Sequence, residues 1–303
     1  MDTEKASKAF GDDDITNKMR NFFLIECDIV YNVFKKARTL DKRSSEVIIL
    51  LASSCQTASA IAKLSEHSDY FLGECYILAR AFIEKIVNYC YLLVCDDDEF
   101  NRFIKHTIQK SYRKLDRKII VDEHELGLKY SVIPDCNSNQ IFKDSISEFT
   151  SKKGKEKTHW TMTRLEERID TIQKNSKLKP LIFMMNVFSI YEDASEAIHG
   201  TLYGCSFQGG FYNPNFDHTN PVEVNKNIQK YTTMLLWNLV LLFHQAILLI
   251  SEHNDIDEYL KASTLNEETT YKVMESAMGH GTKENSPGKG TGLESWGARY
   301  RQK

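Results

Sequence analysis

The residues of this chain able to do chemistry fall on two stripes. Arg80, Glu84, Asn88 and Tyr91 follow one another at intervals of three or four, with Gly73 about two turns earlier, in a run otherwise built of Ile, Leu, Phe, Val and Cys. On a helix that spacing puts a guanidinium and a carboxylate on one face. Burying them is unfavourable unless they pair with each other, with a neighbouring helix or with a ligand. Tyr191, Ser195 and His199 repeat the pattern at four-residue intervals, with Glu192 alongside. His199 would serve there as general acid or base, oriented by Tyr191, Ser195 or Glu192 or sharing a proton with one of them. The plainer alternatives are a structural ion pair for Arg80 and Glu84 and a cation on a helix C-terminus for His199. Ser195 and His199 also suggest a nucleophile and its base, but no third orienting group or oxyanion loop accompanies them.

Other features suggest binding. His159-Trp160 follows the exposed run Lys152-Lys153-Gly154-Lys155 and reads as a pocket wall or stacking platform, or as a Trp that docks its helix on the core. Between Arg102 and Lys118, seven Lys or Arg stand against one acid. Arg102, His106, Gln109, Arg113 and Arg117 share one helical face there, either a phosphate-contacting stripe or a solvated face whose charges follow the helix dipole. The HExxH, GxSxG, strand-borne GxGxxG and EF-hand signatures are absent, so neither a metal nor a cofactor is expected. The segment Pro287-Gly-Lys-Gly-Thr-Gly292 looks like a phosphate loop, but Lys283 stands where that motif needs a glycine.

Positioning these residues falls to helices. The chain has 303 residues, 42% of them hydrophobic and 11% aromatic, enough for a large core. The first third holds no proline, which lets long helices run. Apolar periodicity predicts helices over 15–38, 44–66, 68–95, 96–118, 142–150, 161–174, 180–199, 222–253 and 257–278. Ser44 is read as the start of the second, while Pro180 and Gly200 bracket the seventh. The pattern lapses from Ile119 to Lys157, and the one expected β element is a small hairpin around Gly209-Gly210, within the Tyr203 to Phe216 loop. The expected class is all-α, a single long-helix bundle over 15–278, preceded by an acidic segment (1–14) and followed by a Gly-, Ser- and Lys-rich tail (279–303).

A net charge of -3 argues against a global pull toward nucleic acid or membrane, so such binding would need a local patch. Seven cysteines without a CxxC pair fit reduced core thiols, and the N-terminus has no apolar leader, so a cytoplasmic protein is expected. Met234 to Ile250 is short of a bilayer span and carries Asn238, His244 and Gln245, which favours a buried helix over a membrane anchor.

Three segments together, Leu78-Ala-Arg-Ala-Phe-Ile-Glu84, His159-Trp160 and Tyr191-Glu-Asp-Ala-Ser-Glu-Ala-Ile-His-Gly200, resemble an uncharacterised family of bacterial helical proteins over roughly Ser44 to Ile250. That family is in turn similar in outline to the HEPN helical domains, many of them dimeric toxin or antiviral ribonucleases that use an Arg and a His without metal. The resemblance implies a metal-independent RNA or nucleotide site at Arg80, Glu84, Tyr191, Ser195 and His199, and a homodimer. HEPN nucleases place the Arg a few residues before the His on one helix. No Arg lies between Glu192 and Ile198, so Arg80 would have to supply the guanidinium. The alternative is a non-catalytic module that engages a protein partner through the Tyr203 to Phe216 loop or the C-terminal tail.

Overall fold

Helices account for most of the residues described by the computed structural model, which are 12–130, 139–178, 180–207, 216–217 and 219–277. In chain order they are α1 (Asp13–Lys35), α2 (Lys42–Val47), α3 (Ile49–Leu64), α4 (Ser68–Val94), α5 (Asp97–Arg113), α6 (Gln140–Glu148), α7 (Leu165–Lys174), α8 (Pro180–His199), α9 (Pro221–His253) and α10 (Asp257–Ala277). Strands β1 (Asp116–Val121) and β2 (His124–Lys129) form one antiparallel hairpin. The class is therefore all-α with a small hairpin, as the periodicity predicts. The described residues gather into two compact units, one comprising those up to Leu93 and again from Arg168, the other those between Val94 and Glu167.

The first unit is a bundle. Asp12 caps α1 by accepting from the Asp14 and Ile15 amides, and Met19, Phe23, Cys27 and Val30 bury one stripe of that helix. α1 packs against α3, α9 and α10, and α9 also packs against α8. At the centre, the Phe82 ring of α4 meets Phe243 of α9 edge-on at 4.6 Å and Phe23 of α1 at 5.8 Å. Among the described residues α9 is the one helix long and apolar enough to cross a membrane, yet 78% of its most apolar window is buried inside the bundle. It is the core helix.

Two expected boundaries change here. Ser44 does not begin a helix: Asp41 does, accepting from the Arg43 and Ser44 amides at 2.9 and 3.1 Å. The helix expected over 44–66 is divided at Ile48, between α2 and α3.

In the second unit, Asp96 caps α5, whose first turn carries Asp97, Asp98 and Glu99 and whose last turn carries Lys110 and Arg113, both in accord with the helix dipole. α5 stops at Arg113, short of the expected 118, because Lys114 and Leu115 turn the chain into β1. The hairpin occupies a stretch expected to be irregular. Its β-branched run Ile119-Ile120-Val121 pairs with Leu126, Glu125 and His124 across a tight turn at Asp122, which takes a positive φ of 54°. The hairpin expected around Gly209-Gly210 lies outside the described residues, as do most of the N-terminal segment and the C-terminal tail.

Candidate functional site

The two stripes meet through Tyr191. From α8, its phenol donates to Glu84 Oε1 of α4 at 2.6 Å, and the Arg80 guanidinium lies over its ring, 4.8 Å from the centroid. Burial first, and then the Glu84 carboxylate, push the phenol above its ordinary pKa, while Arg80 pulls the other way. Arg168 of α7 completes the cluster: one end of its guanidinium lies 3.6 Å from Glu84 Oε2, and the other donates to Asn88 Oδ1. Arg80, Glu84, Asn88 and Tyr191 are half-buried, whereas Arg168 is buried and its Nε has no partner among the described residues. Two guanidiniums, a carboxylate and a phenol thus form one cluster, an arrangement able to hold an anion and to relay a proton.

The remaining stripe residues do not join this cluster. The Ser195 hydroxyl is spent on the Tyr191 carbonyl of its own helix, 2.6 Å away. Glu192 is exposed, and Tyr91 is buried farther along α4. His199 is exposed and closes α8. The Gly200 amide bonds Ala197 O and the Thr201 amide bonds Glu196 O, with Gly200 at φ 62°, a Schellman ending that places His199 on the negative end of the helix dipole.

The chain after α8 is pinned against it. A Cβ on Gly204 would fall 2.2 Å from the Glu196 carbonyl, so only glycine fits there. Tyr203 donates to Asp193 at 3.0 Å, and Phe207 packs edge-on against Tyr76 at 5.0 Å. Burial and the Asp193 carboxylate push the Tyr203 phenol up to about 12.

In the second unit, the polar stripe of α5 overturns its expected solvent exposure. Gln109 is fully buried, accepting from Arg113 Nε at 2.7 Å and donating to Glu156 at 3.2 Å. Arg113 also donates to Thr150 at 2.6 Å. Arg102 lies over the buried ring of Phe149, and His106 packs edge-on against the same ring. The stripe is the packed face because residues 149–158 fold back over it and supply partners to His106, Gln109 and Arg113, while the buried Arg102 Nε has none among the described residues. Arg117 is not on the helix at all but in β1. Together with Lys110, Arg113, Lys118, Ile119 and Glu156 it lines a groove of about 540 Å³. Trp160 packs edge-on against Phe103 at 5.1 Å, the docking role, while His159 is exposed.

Residues 46–208, more than half of the chain, match the model of a family of unknown function, DUF5677. The chain belongs to that family. No curated protein and no solved structure matches it. The stretch that matches DUF5677 contains Arg80, Glu84, Asn88, Arg168, Tyr191 and His199, and all of the second unit.

A further polar network lies in the first unit. Ser263 of α10 sits 2.8 Å from His244 Nδ1 of α9, and His244 Nε2 sits 3.0 Å from Glu267. The order serine, histidine, acid is that of a hydrolytic triad, but Ser263 is fully buried and its hydroxyl donates to Glu26 Oε2 of α1 at 2.8 Å. Asn266 donates to the other Glu26 oxygen at 2.8 Å. No substrate reaches this serine, so the network is structural. Glu26 was legible as the one acid on the apolar stripe of α1. Arg168 had no such signal, being one more charge in an amphipathic helix. Among the described residues, no three His, Cys, Asp or Glu side chains gather to hold a metal.

Proposed function

We propose that this DUF5677 protein is a cytoplasmic effector of the antiviral-defence or toxin type that engages RNA or a nucleotide, without metal, at the Arg80–Glu84–Tyr191 cluster. The observation that supports this most is the guanidinium of Arg80 over the ring of a tyrosine whose phenol is hydrogen-bonded to a carboxylate. In an RNA-cleaving reaction the 2′-hydroxyl attacks the adjacent phosphorus and the 5′-oxygen leaves. Arg80 and Arg168 would face the charge developing on the phosphoryl oxygens. Glu84 would take the attacking hydroxyl's proton, directly or through Tyr191. His199, exposed about two turns farther along the same helix and outside the cluster, would contact the RNA strand, and water would protonate the leaving oxygen. The likeness to HEPN ribonucleases belongs to this proposal, as does the homodimer it implies.

The test compares RNA degradation and host growth arrest for the native chain, Arg80→Ala, Glu84→Gln and His199→Ala. Loss in the first two with the fold retained supports the cluster, and loss in the third assigns His199 to RNA contact. Equal behaviour of all four chains overturns the reading.

One observation favours a second reading, a protein-docking module. α8 turns Met184, Phe188 (75% exposed) and Ile198 to solvent, and Leu202 (78% exposed) and Tyr203 continue that apolar strip into the loop named above. Under this reading Phe188→Asp and Leu202→Asp abolish the chain's effect on the host, whereas Glu84→Gln leaves it intact.

A further inference from the structure

Two thiols that no catalytic proposal uses face each other inside the first unit. Cys27 lies on the buried stripe of α1 and Cys55 on α3, two helices that pack together. Their contacts are reciprocal: Cys27 Sγ lies 3.4 Å from Cys55 O, and Cys55 Sγ lies 3.5 Å from Cys27 O. Each sulfur can reach the other's carbonyl only if the two residues stand directly opposite one another. Ser59 Oγ, 3.8 Å from Cys27 Sγ, lies on the same side. We propose that Cys27 and Cys55 are a modification site, joined by hydrogen peroxide into a disulfide that ties α1 to α3.

The chemistry has a direction. The neighbouring Cys55 thiol holds Cys27 below the ordinary thiol range, while the same contact and burial push Cys55 up. We place the first attack on peroxide at the Cys27 sulfur, as its thiolate. One peroxide oxygen adds to its sulfur as sulfenic acid, and the other leaves as water with one thiol proton. The Cys55 sulfur then attacks the sulfenic sulfur, the S–S bond forms, and the hydroxyl leaves as the second water with the remaining thiol proton. Two thiols and one peroxide become one disulfide and two waters. Both cysteines are nearly buried, at 7% and 6% exposure, which favours a small oxidant over a peptide disulfide.

Three of the other described cysteines lack this arrangement. Cys75 donates to the Ile61 carbonyl, burial pushes the Cys90 thiol up, and Cys205 is exposed. The bond would close a loop between positions 28 apart. That cross-link restricts the unfolded chain, so oxidation is expected to raise the melting temperature by several degrees.

The experiment treats the reduced full-length chain with hydrogen peroxide, alkylates the remaining thiols, digests, and identifies joined peptides by mass spectrometry. The expected result is a Cys27–Cys55 peptide pair, two fewer titratable thiols, and a melting temperature that rises and reverts with dithiothreitol. In Cys27→Ser the pair and the rise both disappear, and Cys55→Ser gives a second version of that control. The proposal is overturned if only Cys205 is oxidised, if Cys27 alkylates equally with and without peroxide, or if the joined peptides appear only in denaturant.

Discussion

Glu26 makes the stability of this protein depend on pH in an unusual direction. Its carboxyl is fully buried, and burial raises its pKa from an ordinary 4.5 to about 7, against the pull of hydrogen bonds from Asn266 and Ser263. Between those two values the folded chain keeps a proton at Glu26 that the unfolded chain has released. Stability contributed here is therefore complete below the lower value and lost as pH rises through the upper one, by about 3 kcal/mol in all. Glu26→Gln copies the neutral acid. Its carbonyl still accepts from Asn266, and its amide donates to Ser263, which turns its hydroxyl onto His244 Nδ1 and leaves Nε2–H for Glu267. Urea unfolding followed by circular dichroism should show the two chains within about 1 kcal/mol near pH 4.5, with the variant more stable by about 3 kcal/mol near pH 8. A difference that does not change with pH, or a variant that grows less stable toward pH 8, would refute the reasoning.

Three further perturbations have defined outcomes. Phe82→Ala removes the ring that joins α1, α4 and α9 and should lower unfolding stability by about 3–5 kcal/mol in the same urea assay. Asp41→Ala removes the cap of α2 and should cost about 1–2 kcal/mol near neutral pH. Burial pushes the Asp41 carboxyl up, but hydrogen bonds from Ser44, Asn254 and Arg43 outweigh it and leave the group below its ordinary 3.8. Its stabilising contribution is therefore present above that value and lost as pH falls through the lower folded one, so the gap between the two chains should narrow in acid. Gly204→Ala forces the 201–207 turn away from Glu196 and should unseat Phe207 from Tyr76, costing roughly 1–3 kcal/mol and weakening the near-ultraviolet aromatic signal.

What the sequence makes legible depends on whether a signal is local. Pro180 and Gly200 bracket α8 to the residue, because a proline at the first turn and a left-handed glycine after the last are themselves the start and stop. The Arg80–Glu84 stripe is legible for the same reason, since four-residue spacing among apolar neighbours is a property of one helix. Arg168 and the closure of Tyr191 onto Glu84 are pairings across 84 and 107 positions of chain, which no periodicity encodes. The solvent-side assignment of Arg102, His106, Gln109 and Arg113 fails because polarity alone does not say that a later segment, headed by Phe149, will fold over them. The β1–β2 hairpin escapes notice because its apolar side chains remain exposed, from 57% at Val121 to 70% at Leu126, so no buried alternation announces it.

The family match and the packing divide the first unit along different lines. Residues 46–208 include both polar stripes but not α1, α9 or α10. Yet Phe82, inside the matched segment, packs on Phe23 and Phe243, both outside it. The nearly all-round apolar composition of α4 follows from this: one side carries Arg80, Glu84 and Asn88 toward α7 and α8, and the others close against α1 and α9. The flanking helices need only present apolar faces of suitable volume for the Arg80–Tyr191 geometry to hold, a demand that many sequences meet. They carry a stricter requirement among themselves. Glu26, His244, Ser263 and Asn266 satisfy one another only when α1, α9 and α10 are in a single register, because a slip of one turn strands a buried carboxyl and a buried imidazole. The candidate chemistry thus sits on the matched helices, while the alignment of the flanking scaffold is fixed by polar contacts that the matched segment does not contain.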